Sequence, residues 1–177
     1  MVLAHHAIEA NQIVARVRGA KTPGFVYLGV ACVYGFGSSG ARTMPGYSGT
    51  PLPKKLGIKD GFHVCLIEAP PAVSAELKAS LAKCEVSKDG KAPLDFAIIF
   101  TKASASLGKE FRRVAKQLAP AGMLWVSWPK KTSGVPTDLN ENRVRDIGLA
   151  AGLVDVKVCA VTEVWSGLKF VRRLQDR

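Results

Sequence analysis

The 177-residue sequence predicts an α/β fold over residues 44–177: a mostly parallel sheet covered by helices, ending in an antiparallel hairpin. Three observations predict it. Apolar strand-like runs alternate with segments whose apolar residues recur every three or four positions, and that alternation places parallel strands in one sheet with helices over both faces. Two β-rich segments follow one another at the C-terminus around Trp165-Ser166-Gly167, the pattern of a hairpin. Hydrophobic content of 47 % and charged content of 22 % are those of a globular domain with a real core.

Each element has its own start and stop signals. Residues 62–67 (FHVCLI) form an apolar run after Asp60-Gly61, ended by Pro70-Pro71, and read as a buried strand. Val73, Leu77 and Leu81 are spaced by four and mark one face of a short helix. Residues 84–87 read as a short second strand, and Lys88-Asp89-Gly90 as a turn. Residues 94–100 (LDFAIIF) are the next buried strand. Leu107, Phe111, Val114 and Leu118 then form a helical stripe, with Lys109, Arg112, Arg113 and Lys116 pointing elsewhere. Pro120-Ala121-Gly122 stops that helix, and residues 123–128 (MLWVSW) form a third strand. Asp138, with Glu141 three positions later, is the expected N-cap and capping box of the last helix. Val144, Ile147 and Ala151 are its inner face and Gly152 its end. Residues 154–164 and 168–173 are the two arms of the hairpin.

Strand and helix alternating three times, then a hairpin, resembles the methyltransferase variant of the Rossmann-like fold. The stretch Leu118-Ala119-Pro120-Ala121-Gly122-Met123-Leu124-Trp125-Val126 looks like the L-x-P-G-G-x-L-x-V segment that leads into the fifth strand of methyltransferases. A closer resemblance covers residues 46–173. The strings GYSGTPLPKKLGIK (46–59), WPKKTSGVPTDL (128–139) and GLVDVKVCAVTEVWSGLKFVRR (152–173) are similar to an uncharacterised bacterial family, domain of unknown function 3052. That resemblance implies a methyltransferase-like fold and no particular activity. Members of the family typically begin shortly before the G-Y-S-G-T-P string, which Met44-Pro45 directly precedes here. Residues 1–43, which show no clear period, are therefore expected to be a miscalled extension; a signal segment is the rival reading and an extra anchor the third.

Charge speaks to partners. Of 25 basic and 14 acidic residues, residues 1–43 hold four and one, leaving 21 against 13 and a surplus of +8 in the remainder. Such a surplus favours encounter with phosphates, nucleotides, RNA or an anionic membrane surface. The four cysteines are far apart and form no C-x-x-C pair, so neither a zinc site nor a redox motif is indicated, and structural thiols in a reducing compartment are expected. The longest apolar stretch, residues 24–37, falls short of the roughly 18 residues that span a membrane. A cytoplasmic protein without a membrane partner is the expectation.

Three places could carry a ligand. A glycine-rich loop after the first strand cradles S-adenosylmethionine in methyltransferases, because glycines let the backbone approach and its N–H groups face the ligand. Here that loop reads Glu68-Ala69-Pro70-Pro71-Ala72. Its prolines remove two donors and add bulk, so binding of that cofactor is expected to be weak or absent, with Glu68 the one suggestive residue. The second place is the loop after the third strand, where Lys130, Lys131, Thr132, Ser133 and Gly134 offer charge and donors ahead of a helix start, with Trp128 at the strand end. A phosphate-bearing or other anionic small molecule would suit it; a solvated lysine pair with Asp138 on the helix is the bland alternative. The third is residues 47–55, an arm whose Lys54 or Lys55 could reach in as part of a lid.

Other residues read as structural. His63 sits in an apolar strand and is expected to be a satisfied structural histidine. Trp125 belongs to the core, while Trp128 or Trp165 could line a cleft. Arg112, Arg113, Lys116, Arg172 and Arg173 could form a basic face for RNA, but no aromatics interleave them. The sequence thus favours a non-catalytic binding or regulatory module for an anionic small ligand. A methyltransferase with an atypical cofactor loop is the alternative, and an RNA-associated accessory protein a third. No cofactor, catalytic residue or metal ligand is assigned.

Overall fold

Six strands form one sheet in the order β2-β1-β3-β4-β6-β5, seen in a computed structural model that describes residues 49–87 and 93–177. The elements run α1 (Leu52–Leu56), β1 (His63–Ile67), α2 (Pro71–Leu81), β2 (Glu85–Val86), β3 (Leu94–Phe100), α3 (Ser104–Gln117), β4 (Leu118–Pro129), α4 (Glu141–Ala150), β5 (Leu153–Ala160) and β6 (Trp165–Arg172). The segment 1–48 and the turn expected at 88–90 lie outside the described residues.

β1, β2, β3 and β4 are parallel, and β6 runs antiparallel between β4 and β5. From β1 the chain steps outward to β2, then crosses back over β1 to β3 and on to β4. Right-handed crossovers in opposite directions put their helices on opposite faces of the sheet. The core divides accordingly. Leu107, Phe111 and Val114 of α3 and Val144 of α4 pack with Ala97, Ile99, Leu124, Val126, Leu168 and Phe170 on one face. Leu52 and Leu56 of α1 and Val73 and Leu77 of α2 pack with Val64, Phe96, Ile98 and Trp125 on the other. β3 is buried on both faces, which is why residues 94–100 read as a continuous apolar run.

Four local expectations need correction. α3 ends at Gln117 and β4 begins at once with Leu118, instead of after a Pro-Ala-Gly stop. Leu118 pairs with Leu94 and Met123 with Phe96, so the intervening residues bulge out of the ladder. A side chain at Gly122 would run into the Leu94 carbonyl, so the glycine serves close backbone approach and not helix termination. Residues 52–56 form a helix, which their lead-in of turn residues hid; Pro53 at its start and Gly57 at φ 84° after its end bound it. The arms of the hairpin close at Ala160 and reopen at Trp165, so the turn falls at residues 161–164 instead of 165–167.

The cap of α4 is the fourth correction. Asn140, not Asp138, is its N-cap, its side chain accepting from the Arg143 N–H at 2.9 Å. Asp138 instead reaches the start of α3. Its two oxygens accept from the Ser104 N–H at 2.8 Å and the Ser104 hydroxyl at 2.6 Å. No carboxylate or amide side chain stands at the local N-cap position of α3, Ala103, so the donor groups of that helix are served from another loop.

Candidate functional site

In an open α/β sheet, ligands bind outside the carboxyl ends of the strands, where neighbouring connections leave in opposite directions. That point here lies between β1 and β3. A cleft of about 840 Å³ occupies it, lined among others by Ile67, Glu68 and Pro70 from the end of β1, Thr101 and Lys102 from the end of β3, and Trp165 from the start of β6. Trp165 stands edge-on to Phe100 at 5.2 Å between ring centroids, giving the cleft an aromatic wall. The Thr101 and Ser106 hydroxyls, both in its lining, lie 3.0 Å apart. The Glu110 carboxylate, also at the cleft, accepts from the Arg113 guanidinium at 2.8 Å.

Glu68 is the residue that shapes this lip. Its φ of 54° makes it the one non-glycine residue with positive φ among those described. A left-handed conformation costs an ordinary residue about 1–2 kcal/mol, and such strain concentrates at binding sites. The turn from β1 into α2 is therefore made by Glu68, in the place where a glycine would turn without strain. The prolines that follow do less harm than the sequence suggested. Pro70 is the N-cap and Pro71 the first residue of α2, a position whose N–H lies outside the helical ladder in any case. Ser74 N–H already bonds back to Pro70, so the donors left at the helix start are those of Ala72 and Val73.

The far side of the cleft is held by a second loop. Thr137 donates to the Lys102 carbonyl at 2.7 Å and Asp138 N–H to the same oxygen at 3.3 Å. With the Ser104 bonds, these tie residues 137–138 onto the β3–α3 connection. Those bonds, the Ser104 hydroxyl first, hold the Asp138 carboxyl below its ordinary 3.8, assisted by Arg143.

The Lys130 loop forms a different cavity. Trp128, Lys130, Lys131 and Thr132 line a space of about 600 Å³ with Asn140, Glu141 and Ser166; Ser133 and Gly134 do not line it. Lys131–Ser133 make a single 3₁₀ turn, and Ser133 turns inward, both its N–H (3.0 Å) and its hydroxyl (2.7 Å) donating to the Lys130 carbonyl. The Lys130 N–H donates to Val164. Donors expected to converge on an anion are thus partly spent within the loop, and Glu141 brings a carboxylate into the same space, bound by Arg145 at 2.6 Å. Glu68 and the lysine loop do not meet in one cavity.

Other candidates find structural places. His63 lies at the opposite edge of the sheet, its ring 2.9 Å from Glu85 of β2 and 3.4 Å from Asp95 of β3, carboxylates that are distant in sequence but adjacent across strands. Trp125 is buried, its indole N–H donating to Leu56 at 3.0 Å. Lys55 donates to the Ala160 carbonyl at 3.3 Å and lines no part of the cleft, so the lid reading of residues 47–55 is not supported for it. The proposed RNA face is partly used up. Arg113 pairs with Glu110, and Arg172 donates to the carbonyls of Ala115 and Leu118, closing the C-terminal end of α3.

Comparison with protein-family models and with curated proteins finds no match. Solved structures do match in fold. The O-methyltransferase NcsB1 of neocarzinostatin biosynthesis, crystallised with S-adenosylmethionine and 2-hydroxy-5-methyl naphthoic acid, superposes with a TM-score of 0.50 at 12 % identity, over 63 % of this chain and 49 % of its own. This chain therefore spans about half the length of that enzyme. A methyltransferase from Aquifex aeolicus that depends on S-adenosylmethionine matches with a TM-score of 0.48 at 16 % identity, over 66 % of this chain and 85 % of its own. No helix among the described residues is long and apolar enough to cross a membrane. At this level of identity the likeness shows architecture, and the architecture is the methyltransferase-like α/β sheet with its C-terminal antiparallel pair.

Proposed function

We propose that the domain binds S-adenosylmethionine in the cleft between β1 and β3 and acts as a methyltransferase with an atypical cofactor loop. The observation that carries this reading is the strained Glu68 at the lip of the cleft. It keeps the tight strand-to-helix turn that the fold uses for this cofactor and adds a carboxylate that would attract the cofactor's positive charge. The bulk of Pro70-Pro71, which from sequence alone argued against binding, is absorbed by the start of α2. When bound, the cofactor supplies an electrophilic methyl group. The chain's own residues bind and orient. Glu68 would hold the cationic part, the Trp165–Phe100 wall would offer a face to the adenine ring, and Lys102 with Thr101 would offer charge and a hydroxyl to the amino-acid carboxylate.

This reading displaces the non-catalytic anion-binding module as the main proposal, because the Lys130 loop spends its donors internally. Calorimetry with S-adenosylmethionine and with S-adenosylhomocysteine tests it. Micromolar binding is expected for both, and Glu68→Gln is expected to weaken S-adenosylmethionine by about tenfold, roughly 1.4 kcal/mol, and the uncharged thioether product less. Absence of binding at millimolar ligand overturns the proposal.

A further inference from the structure

A basic stripe runs along the back of the hairpin, on the sheet face that carries α1. Lys157 of β5 stands directly opposite Lys169 of β6, which stands opposite Trp125 of β4. Like charges facing each other across strands are destabilising. No ion pair among the described residues offsets this pair, and the reason is a bulge. Asp155 pairs with Phe170 and Lys157 with Lys169, so Val156 is an extra residue. In a regular strand Asp155 and Lys157 would share a face. The bulge sends Asp155 to the α4 side, where it binds Arg145 at 2.9 Å, and leaves Lys157 among cations. Asp60 is likewise engaged, by Lys83 at 3.2 Å. Burial pushes the Lys169 ammonium below its ordinary value, and Lys157, Arg177 and Lys59 push it further. The Lys157 amine is held in place by the Lys55 carbonyl at 3.1 Å.

We propose that Lys59, Lys157, Lys169 and Arg177 form a binding surface for the phosphate backbone of single-stranded RNA, separate from the β1–β3 cleft. Lys59, Lys157 and Arg177 are exposed and Lys169 is half-buried, so the surface suits an extended polyanion better than an enclosed small phosphate ester. A local rule broken without local compensation marks a functional surface. The partner supplies the missing negative charge, and each neutralised phosphate releases a counterion.

Fluorescence anisotropy of the full chain with a labelled mixed-sequence RNA of about 20 nucleotides tests this between roughly 50 and 200 mM salt. Four cations predict a slope of log affinity on log salt of about −3, at roughly −0.7 per contact with a single strand. Lys157→Gln with Lys169→Gln is expected to weaken binding about tenfold and to flatten the slope by roughly 1.4. Its melting temperature is expected to stay level or rise, because a repulsive pair is gone. Lys59→Gln with Arg177→Gln, at less packed positions, should give a similar loss. Lys109→Gln with Lys116→Gln, on the exposed side of α3, should leave binding within about twofold. No RNA binding at the lowest salt overturns the proposal. So does an equal loss in the α3 variant, which would mean diffuse charge attraction, and so does binding to phosphatidylserine vesicles but not to RNA, which would make the stripe a membrane surface.

Discussion

Asp138 shows how a single side chain can serve an element other than its own. Sequence spacing with Glu141 placed it on α4, yet its oxygens hold Ser104 at the start of α3. The expected consequence is pH-dependent. A carboxyl whose folded-state pKa lies below its unfolded value contributes stability above that unfolded value and loses it as pH falls through the folded one. Asp138→Asn should therefore lower the melting temperature at neutral pH, and the gap from the parent should close as pH drops below 3.8. Thermal melts at several pH values check this; a gap independent of pH would show that charge has no part. Glu68 belongs at this scale too. Glu68→Gly relieves the left-handed strain, about 1–2 kcal/mol, against roughly 0.5–1 kcal/mol of added chain entropy. A small net gain in stability is expected in denaturant unfolding, together with weaker cofactor binding. Loss of stability would mean that Glu68 makes contacts worth more than its strain.

At the scale of elements, helix packing and loop chemistry can be separated. Gly148 sits in α4 against Phe170, whose ring meets Phe111 edge-on at 5.1 Å. Alanine is the better helix former by roughly 1 kcal/mol, but its methyl would enter the Phe170 ring. Overpacking of this kind costs about 1–3 kcal/mol, so Gly148→Ala is expected to destabilise in equilibrium unfolding, against its helix propensity. The Lys130 loop is expected to behave as a surface. Lys130→Ala with Lys131→Ala should leave any stabilisation by sulfate or phosphate unchanged in thermal melts. Loss of that stabilisation would restore the anion site read from the sequence. Here legibility was partial. Strand β3 and helix α3 were plain, because burial on two faces and on one face leave periods that a sequence carries openly. Helix α1 was hidden, because a five-residue helix between prolines and glycines has too few turns to show a period.

Across the whole molecule, β6 is the strand that closes the design. It lies between β4 and β5 although it comes last, and its Leu168 and Phe170 are fully buried against the α3 and α4 face. A chain ending at residue 152 would expose the open side of β4 and strip both side chains from the core. Such a truncation is expected to lose cooperative unfolding in denaturant; retention of a sharp transition would show that the first four strands fold alone. The same closure creates the contrast between the two sheet faces at the hairpin, apolar beneath α4 and basic behind it.

The sequence by itself determined the class of fold, most of the strands and helices, and the edge of the sheet at which to look for a ligand. Those follow from local periodicity and from the handedness of crossovers, both written into neighbouring residues. It also marked Glu68, Trp128 and Trp165 as residues near strand ends. Only the tertiary structure decided what they do. Whether Pro70-Pro71 blocks a cofactor depends on where α2 begins, and whether Lys130 can hold an anion depends on where Ser133 turns. Which helix Asp138 caps, which carboxylates satisfy His63 and which face Lys157 takes after the bulge all depend on partners from distant segments. Spacing along the chain cannot report such partners, because a one-residue shift in a strand reverses every face that follows it.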